Sequence, residues 1–387
     1  MAEERREETP PLGGFGREQL GKLPKVDVEE MPRVHITRRQ AFVFGLFVLS
    51  ALAFLYFVLP KLAGLRETWS KLDQADPVWL VAAFLLELAS FGGYVMLFRA
   101  VFVRGESRVG WRESYQITMA GLAASRLFAA AGSGGVALTA WALRRSGMEA
   151  RVVACRMIAF LTLLYAVYMG ALVIDGIGLR TGIFPGGGGF AITIIPAIFG
   201  AASILAFLAL SLLPQDIERR LGSWAAGGRR GARLVAKAVT APAAVASGVR
   251  TAISLLRARN YGTLGALVWW GFDVAVLWAA FHAFGTPPPF TVIVMAYFVG
   301  MLANVLPLPG GIGGVDGGMI GSLIAFGVDG SLAVLAVLVY RAFSFWLPTI
   351  PGAIAYFQLR RTVHRWAEEL DPEETVGAQG ASKPVPA

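Results

Sequence analysis

The chain has 387 residues, of which 56% are hydrophobic and 16% charged, with a mean hydropathy of +0.59 and a formal net charge of +9. No single soluble core absorbs so many long apolar runs, so the composition excludes a soluble domain and points to a polytopic membrane protein. The basic residues crowd into a few loops between apolar segments, which fits orientation in a membrane and contact with anionic lipid and argues against nucleic acid as a partner. One cysteine, Cys155, and three scattered histidines leave no disulfide framework and no expected metal or cofactor set.

Residues 1–38 mix Glu, Arg, Lys, Pro and Gly without periodicity and read as a disordered cytoplasmic tail. The apolar run 41–59, preceded by Arg38 and Arg39, is too long for a signal-peptide core and has no small-residue cleavage site after it, so it reads as the first spanning helix. A second span covers about 78–103 and carries Glu87 and Arg99. The segment 115–143 is apolar but broken by Gly132, Gly134 and Gly135, with Arg126 just ahead of them. Spans follow at about 152–174 and 191–213. From 214 to 260 the pattern changes: nine Lys or Arg appear, with Val245, Val249, Ile253 and Leu256 at helical spacing, as in an amphipathic helix lying along the cytoplasmic membrane surface. A span at about 264–284 carries Asp273, a second broken segment occupies about 290–326, and the last span, 332–357, carries Arg341. Residues 366–387 read as a disordered C-terminal tail, which leaves 39–365 as one transmembrane domain with 214–260 as its insert.

The second break is the stretch Leu306–Gly318, where two prolines and six glycines in thirteen positions cannot hold a regular helix. At bilayer depth such backbone survives only if it is buried in protein or lines a wet cavity. Both breaks carry the same pattern, Gly132-Ser133-Gly134-Gly135-Val136 and Gly311-Ile312-Gly313-Gly314-Val315, an offset of 179. Met119-Ala120 and Met295-Ala296 precede them, and Gly147-Met148-Glu149 and Gly327-Val328-Asp329 follow, at offsets of 176 and 180. That reads as an internal repeat. If each broken segment turns back on the side it entered, with both termini cytoplasmic, most Lys and Arg fall inside; if both cross, the nine-cation loop falls outside, against the positive-inside rule. The expected fold is therefore all-α, with six transmembrane helices plus two re-entrant broken-helix hairpins in an inverted repeat, which is a transporter arrangement.

Pro307 to Asp316, with Phe326-Gly327-Val328, Tyr340-Arg341 and Phe345-Trp346-Leu347-Pro348, resembles the signature of the lysylphosphatidylglycerol synthase transmembrane region, a flippase-like membrane family also found beside some glycosyltransferases. Arg126 and Gly132 to Gly135 resemble that family's first block, and the likeness extends over about residues 40–365. Two departures stand out: the family usually has Glu where this chain has Asp316, and its bifunctional members carry a soluble aminoacyl-transfer domain where about 30 residues follow the last span here. The resemblance implies the translocating half without the synthetic one, in a plasma membrane and without enzymatic activity.

The candidate substrate-binding residues are Arg126, Gly132, Gly134, Gly135, Asp273, Gly311, Gly313, Gly314, Asp316 and Arg341. A guanidinium well inside a span costs several kcal/mol, so Arg126 and Arg341 should face a cavity or a partner. They either hold a lipid phosphate, with Asp316 and Asp273 as their counter-ions, or form purely structural ion pairs. Helix N-termini near Val136 and Val315 would aim free N–H groups at the same anion, whereas Gly310, Gly314 and Gly318 alone would also suit close helix packing. Glu87 is open between function and a satisfied interhelical hydrogen bond, and Trp269-Trp270 and Phe345-Trp346 fit packing or an interface belt. The expected partners are membrane lipids with an anionic head group, a phospholipid, an aminoacylated phospholipid or a polyprenyl-phosphate-linked sugar. The alternative is a non-transporting scaffold that recruits a lipid-modifying enzyme or glycosyltransferase through 214–260; a membrane enzyme using Asp316 is disfavoured because no nucleophile with a plausible base accompanies it.

Overall fold

The computed structural model describes residues 74–103, 107–127, 133–212, 230–305, 311 and 313–370, and these are helical with no strand among them. In chain order the helices are α1 (Pro77–Phe102), α2 (Trp111–Leu127), α3 (Ser133–Arg145), α4 (Ala150–Thr181), α5 (Phe190–Ser211), α6 (Arg230–Arg257), α7 (Gly265–Phe284), α8 (Phe290–Leu302), α9 (Gly314–Ala325), α10 (Gly330–Arg341) and α11 (Thr349–Leu370). The expected span at 41–59, both outer tails and Gly132 lie outside the described residues, except that 366–370, expected in the C-terminal tail, continue α11 through Leu370.

Five stretches are long and apolar enough to cross a bilayer: α1, α4, α5, α7 with the 3₁₀ turn before it (Tyr261–Phe284), and α10 run into α11 (Gly330–Trp366). They coincide with the five expected spans inside the described region. Local chemistry sets their ends. Pro77 opens α1 where its missing N–H costs nothing, and Asp76 accepts from Val78 N at 2.9 Å. Gly182 closes α4 in the left-handed region, φ +75°. In the last span, Pro348 cannot donate, and the ladder loosens ahead of it into a π-turn over Ala342–Trp346 closed by Leu347 N to Ala342 O at 3.0 Å.

The two glycine-broken segments are not rods. At 1.5 Å per residue the 17-residue α2 reaches about 26 Å, and α3, α8 and α9 about 18–20 Å each, all short of a hydrocarbon core of about 30 Å. Instead α2 lies against α3, and α8 against α9. Glycine makes both contacts possible: a Cβ on Gly135 would strike the Gly121 carbonyl, and one on Gly318 would sit 3.0 Å from Gly300 Cα. Close packing by Gly318 and a break in the helix are thus both present.

The repeat in the sequence has a counterpart in the packing. The most extensive interface joins α1 to α7, where Ser90 Oγ donates to Trp269 O at 3.0 Å. Beside it α2 packs on α11, with Thr362 donating to Gln116 at 2.9 Å, and α8 packs on α4, with Tyr168 donating to Phe298 O at 2.8 Å. These two contacts are equivalent under the repeat. Between the repeats, α6 packs on α4 and α5 and buries Ala246, Val249, Ala252 and Leu255, a stripe turned about one residue from the expected one; Leu256 is exposed. Its composition is too polar for a candidate span.

Candidate functional site

Between the two broken segments lies a cavity of about 590 Å³. Ser125, Arg126, Gly135, Val136 and Thr139 line it from α2 and α3, and Met301, Asn304 and Gly311 from the second break. Asp273 of α7 and Tyr340, Arg341, Ser344 and Phe345 of the last span complete the polar side. Tyr94, Phe98, Phe160, Trp269 and Trp270 form an aromatic wall, fixed in part by Trp270 Nε1 donating to Leu164 O at 2.8 Å. Val136, Tyr165 and Asn304 are exposed and mark its rim.

The two candidate arginines meet at one ring. Arg341 holds its guanidinium carbon 4.6 Å from the centre of Phe345, and Arg126 holds its own 5.7 Å from the same centre. A phenyl face attracts cations without adding a charge to the site. Arg126 NH2 and NH1 also donate to the carbonyls of Ser344 (2.7 Å) and Phe345 (3.4 Å). The π-turn supplies these acceptors, because the shift in hydrogen-bond register ahead of Pro348 leaves carbonyls free of the regular ladder. The expectation that a carboxylate pairs directly with each arginine therefore needs correcting for Arg126: its hydrogen-bond partners are backbone carbonyls, and Glu87 and Asp273 act on it through space.

Arg341 does have a carboxylate. Its Nε lies 2.6 Å from Asp316 Oδ1, with both side chains buried. Asp316 stands third in α9, and its Oδ2 accepts from Gly313 N at 2.9 Å. An acid at that position supplies the N3 half of a capping box, Gly313 having no side chain for the other half, and a longer Glu performs the same role, so Asp316 keeps cap and counter-ion with one methylene fewer. Part of the α9 N-terminus is thus occupied by the protein's own carboxylate, and the free end expected near Val315 for an anion is in this respect corrected. The first turn of α3, with Gly135 and Val136, does face the cavity.

Asp273 is buried, and the hydroxyls of Tyr297 and Tyr340 both donate to its Oδ2, Tyr340 at 3.0 Å. Glu87 is buried as well, 1% exposed; neither of its oxygens meets a donor among the described residues, and the side chain within its hydrogen-bonding reach is the carboxyl of Asp273, so a bond between the two needs a proton on one of them. Asp273 and Arg126 are the charged groups that act on it. The interhelical hydrogen bond considered for Glu87 has Asp273 as its partner and forms only when one of the two carboxyls carries a proton.

Of the candidate residues, Arg126, Gly135, Asp273, Gly311 and Arg341 line one cavity, and Asp316 is tied to it through Arg341. Gly311 takes φ +67° in a spot where a Cβ would crowd Asn304 and Val315, and Gly313 takes φ +82°. Gly134 and Gly314 sit in the first turns of α3 and α9 without lining the cavity, and Gly132 lies outside the described residues. Tyr297, Tyr340 and Phe345 were not candidates; aromatic residues in an aromatic-rich membrane chain carry no spacing that separates a site from packing. The available signals were the family signature, which includes Tyr340 and Phe345, and Pro348, which sits behind the π-turn. Among the described residues no group of three or more His, Cys, Asp or Glu could hold a metal ion.

A family model described as the lysylphosphatidylglycerol synthase TM region matches residues 42–352. A UPF0104 membrane protein of Methanothermobacter thermautotrophicus is 28% identical over 313 residues, covering 76% of this chain and 90% of that protein. Shorter matches are to UPF0104 membrane protein MJ1595 of Methanocaldococcus jannaschii, 33% identical over 95 residues (24% of this chain, 28% of that one), and to UPF0104 membrane protein PH1989 of Pyrococcus horikoshii, 28% identical over 99 residues (25% and 30%).

Proposed function

The chain belongs to the family of the lysylphosphatidylglycerol synthase transmembrane region, and from that premise we propose that it binds a lipid with an anionic head group and moves it between leaflets. The observation that carries the reading is the convergence of both broken segments on one cavity furnished with two guanidiniums, Arg341 buried and Arg126 half-buried. A volume of about 590 Å³ lies in the usual range for ligand sites and suits a head group. The lipid phosphate sits between Arg126 and the first turn of α3, where N–H groups and the positive end of the helix dipole add to the guanidinium. The aromatic wall takes the apolar part of the glycerol or sugar. The role is one of transport, not of bond making or breaking.

In this reading the broken segments are re-entrant hairpins entering from opposite faces, six helices span the plasma membrane with 41–59 as the first, and both termini are cytoplasmic. The positive-inside distribution of Lys and Arg and the short helices α2, α3, α8 and α9 support it. The test is reconstitution in liposomes with a fluorescent anionic phospholipid, whose access to a membrane-impermeant quencher reports movement between leaflets. Wild type should move the probe, and Arg126→Ala and Arg341→Ala, checked for folding, should lose most of that activity. Equal rates in all three and in protein-free liposomes would refute the assignment.

A second reading, a scaffold for a lipid-modifying enzyme or glycosyltransferase, draws on the exposed edge of the basic helix α6, where Leu256 is 54% exposed. Recovery of such an enzyme that depends on α6, together with no lipid movement, would favour it.

A further inference from the structure

The energy source for lipid movement is the question that the cavity raises and its lining answers. Two guanidiniums, Arg126 and Arg341, stand in the cluster with three carboxylates, Glu87, Asp273 and Asp316. The residues of the two breaks outside the described region, 128–132, 306–310 and 312, contain no charged side chain. Fully ionised, the described members of the cluster thus carry one negative charge in excess, the wrong sign for an anion site. Asp316 is committed to Arg341 and to the α9 cap, so the excess resides on Glu87 and Asp273.

From this surplus, and from the absence of any donor to Glu87 among the described residues, we propose that Glu87 and Asp273 form a proton-binding site that fills when an anionic head group binds Arg126. The inference rests on the reading of the cavity as a head-group site. Two carboxylates that share a buried site repel each other, and one proton between them removes the repulsion and supplies Glu87 with the hydrogen bond it lacks. The groups facing the pair are Arg126 from α2, Tyr297 from α8 and Tyr340 from α10, with Arg341 behind Tyr340. Both tyrosines already donate to one oxygen of Asp273 and accept nothing from it. Arg126 is the one guanidinium in the cluster without a carboxylate bonded to it, so it alone is shared between the pair and an incoming phosphate.

The coupling follows from that sharing. A phosphate on Arg126 draws its positive charge away from the carboxylates, which then take a proton from water; departure of the phosphate returns the charge and expels the proton. By linkage the proton tightens the anion as much as the anion tightens the proton. One phosphodiester and one proton add no net charge to a cavity deep in the membrane, and their joint movement lets a proton gradient drive a lipid uphill. A metal cation is a poor substitute, because a hard cation wants six or more oxygens and this pocket has few to spare.

The experiment is calorimetric titration of the purified protein with dihexanoyl phosphatidylglycerol, whose phosphodiester stays ionised throughout, in buffers of differing ionisation enthalpy. Wild type should take up about one proton per lipid, with affinity falling about tenfold per pH unit across the range where the pair loses its proton. Glu87→Gln imitates the protonated state and should bind the lipid with uptake near zero and little dependence on pH. Should that variant not fold, an infrared difference spectrum of wild type, lipid-bound minus free, should show a new protonated-carboxyl C=O band. Binding by wild type without proton uptake, uptake that persists in Glu87→Gln, or affinity that follows sodium at fixed pH overturns the coupling and leaves lipid binding standing. Absence of any binding to wild type removes the head-group reading and the coupling with it.

Discussion

Replacing Asp316 by Ala should be among the most damaging single changes in the membrane domain. The substitution strips Arg341 of the carboxylate 2.6 Å away while the guanidinium stays buried, and it removes the acceptor for Gly313 N. Breaking a buried pair from one side costs about 3–5 kcal/mol, because the remaining charge keeps its desolvation penalty and loses its compensation. The lost cap adds about 0.5–2 kcal/mol. Asp316→Asn keeps an acceptor for the cap and should fall between wild type and Asp316→Ala, and Asp316→Glu should be tolerated, since Glu serves both tasks from the third helical position. The double change Asp316→Leu with Arg341→Met removes both charges at once and should recover most of the loss except the cap. Equilibrium unfolding in mixed micelles, followed by the ellipticity lost on denaturing detergent, measures each. If Asp316→Ala lies within about 1 kcal/mol of wild type, or the double variant is no more stable than Asp316→Ala, the pair is not the buried, mutually compensating unit described here.

Two further substitutions probe the frame of the site. Gly135→Ala should cost about 1–3 kcal/mol in the same assay, since its Cβ meets the Gly121 carbonyl and Ser125 Oγ, whereas Gly317→Ala, with nothing within 4 Å, should be neutral or slightly stabilising. Phe345→Leu keeps most of the apolar volume and removes the ring that faces Arg126 and Arg341; a loss of about 0.5–2 kcal/mol per cation is expected, while an unchanged midpoint would make the ring a mere spacer.

Much of this architecture was legible in the residues because a bilayer punishes exceptions. Long apolar runs fix spanning helices, and the five spans within the described region lie close to where hydropathy puts them. The glycine and proline runs announced the breaks, and the cost of a charge at depth singled out Arg126, Asp273, Asp316 and Arg341, of which the first, second and fourth line one cavity. What could not be read was partnership. Nothing local tells Arg126 to choose the carbonyls of Ser344 and Phe345, since those acceptors arise only when Pro348 forces a π-turn 219 residues away in sequence from Arg126 to Phe345. Glu87 looked as easily satisfied as Ser90 three residues on, which does find Trp269 O; only the helix crossing decides which of the two receives a partner.

The repeat explains why the cavity is symmetric in frame and asymmetric in charge. At the offset of 179 that relates the two breaks, Gly121 corresponds to Gly300 and Thr139 to Gly318, and each pair meets where its short helices cross. Under the same offset Tyr94 corresponds to Asp273, and both line the cavity from α1 and α7. The charges do not recur: Glu87 falls on Ala266, Arg126 on Val305, Asp316 on Ala137 and Arg341 on Thr162. A duplicated backbone lets two arrangements of the halves lie close in energy, which alternating access requires. A duplicated set of charges would give each half its own site and double the desolvation cost. One set, shared across the α1–α7 interface, keeps a single site, which under the proposed transport function either arrangement would present to its own side of the membrane.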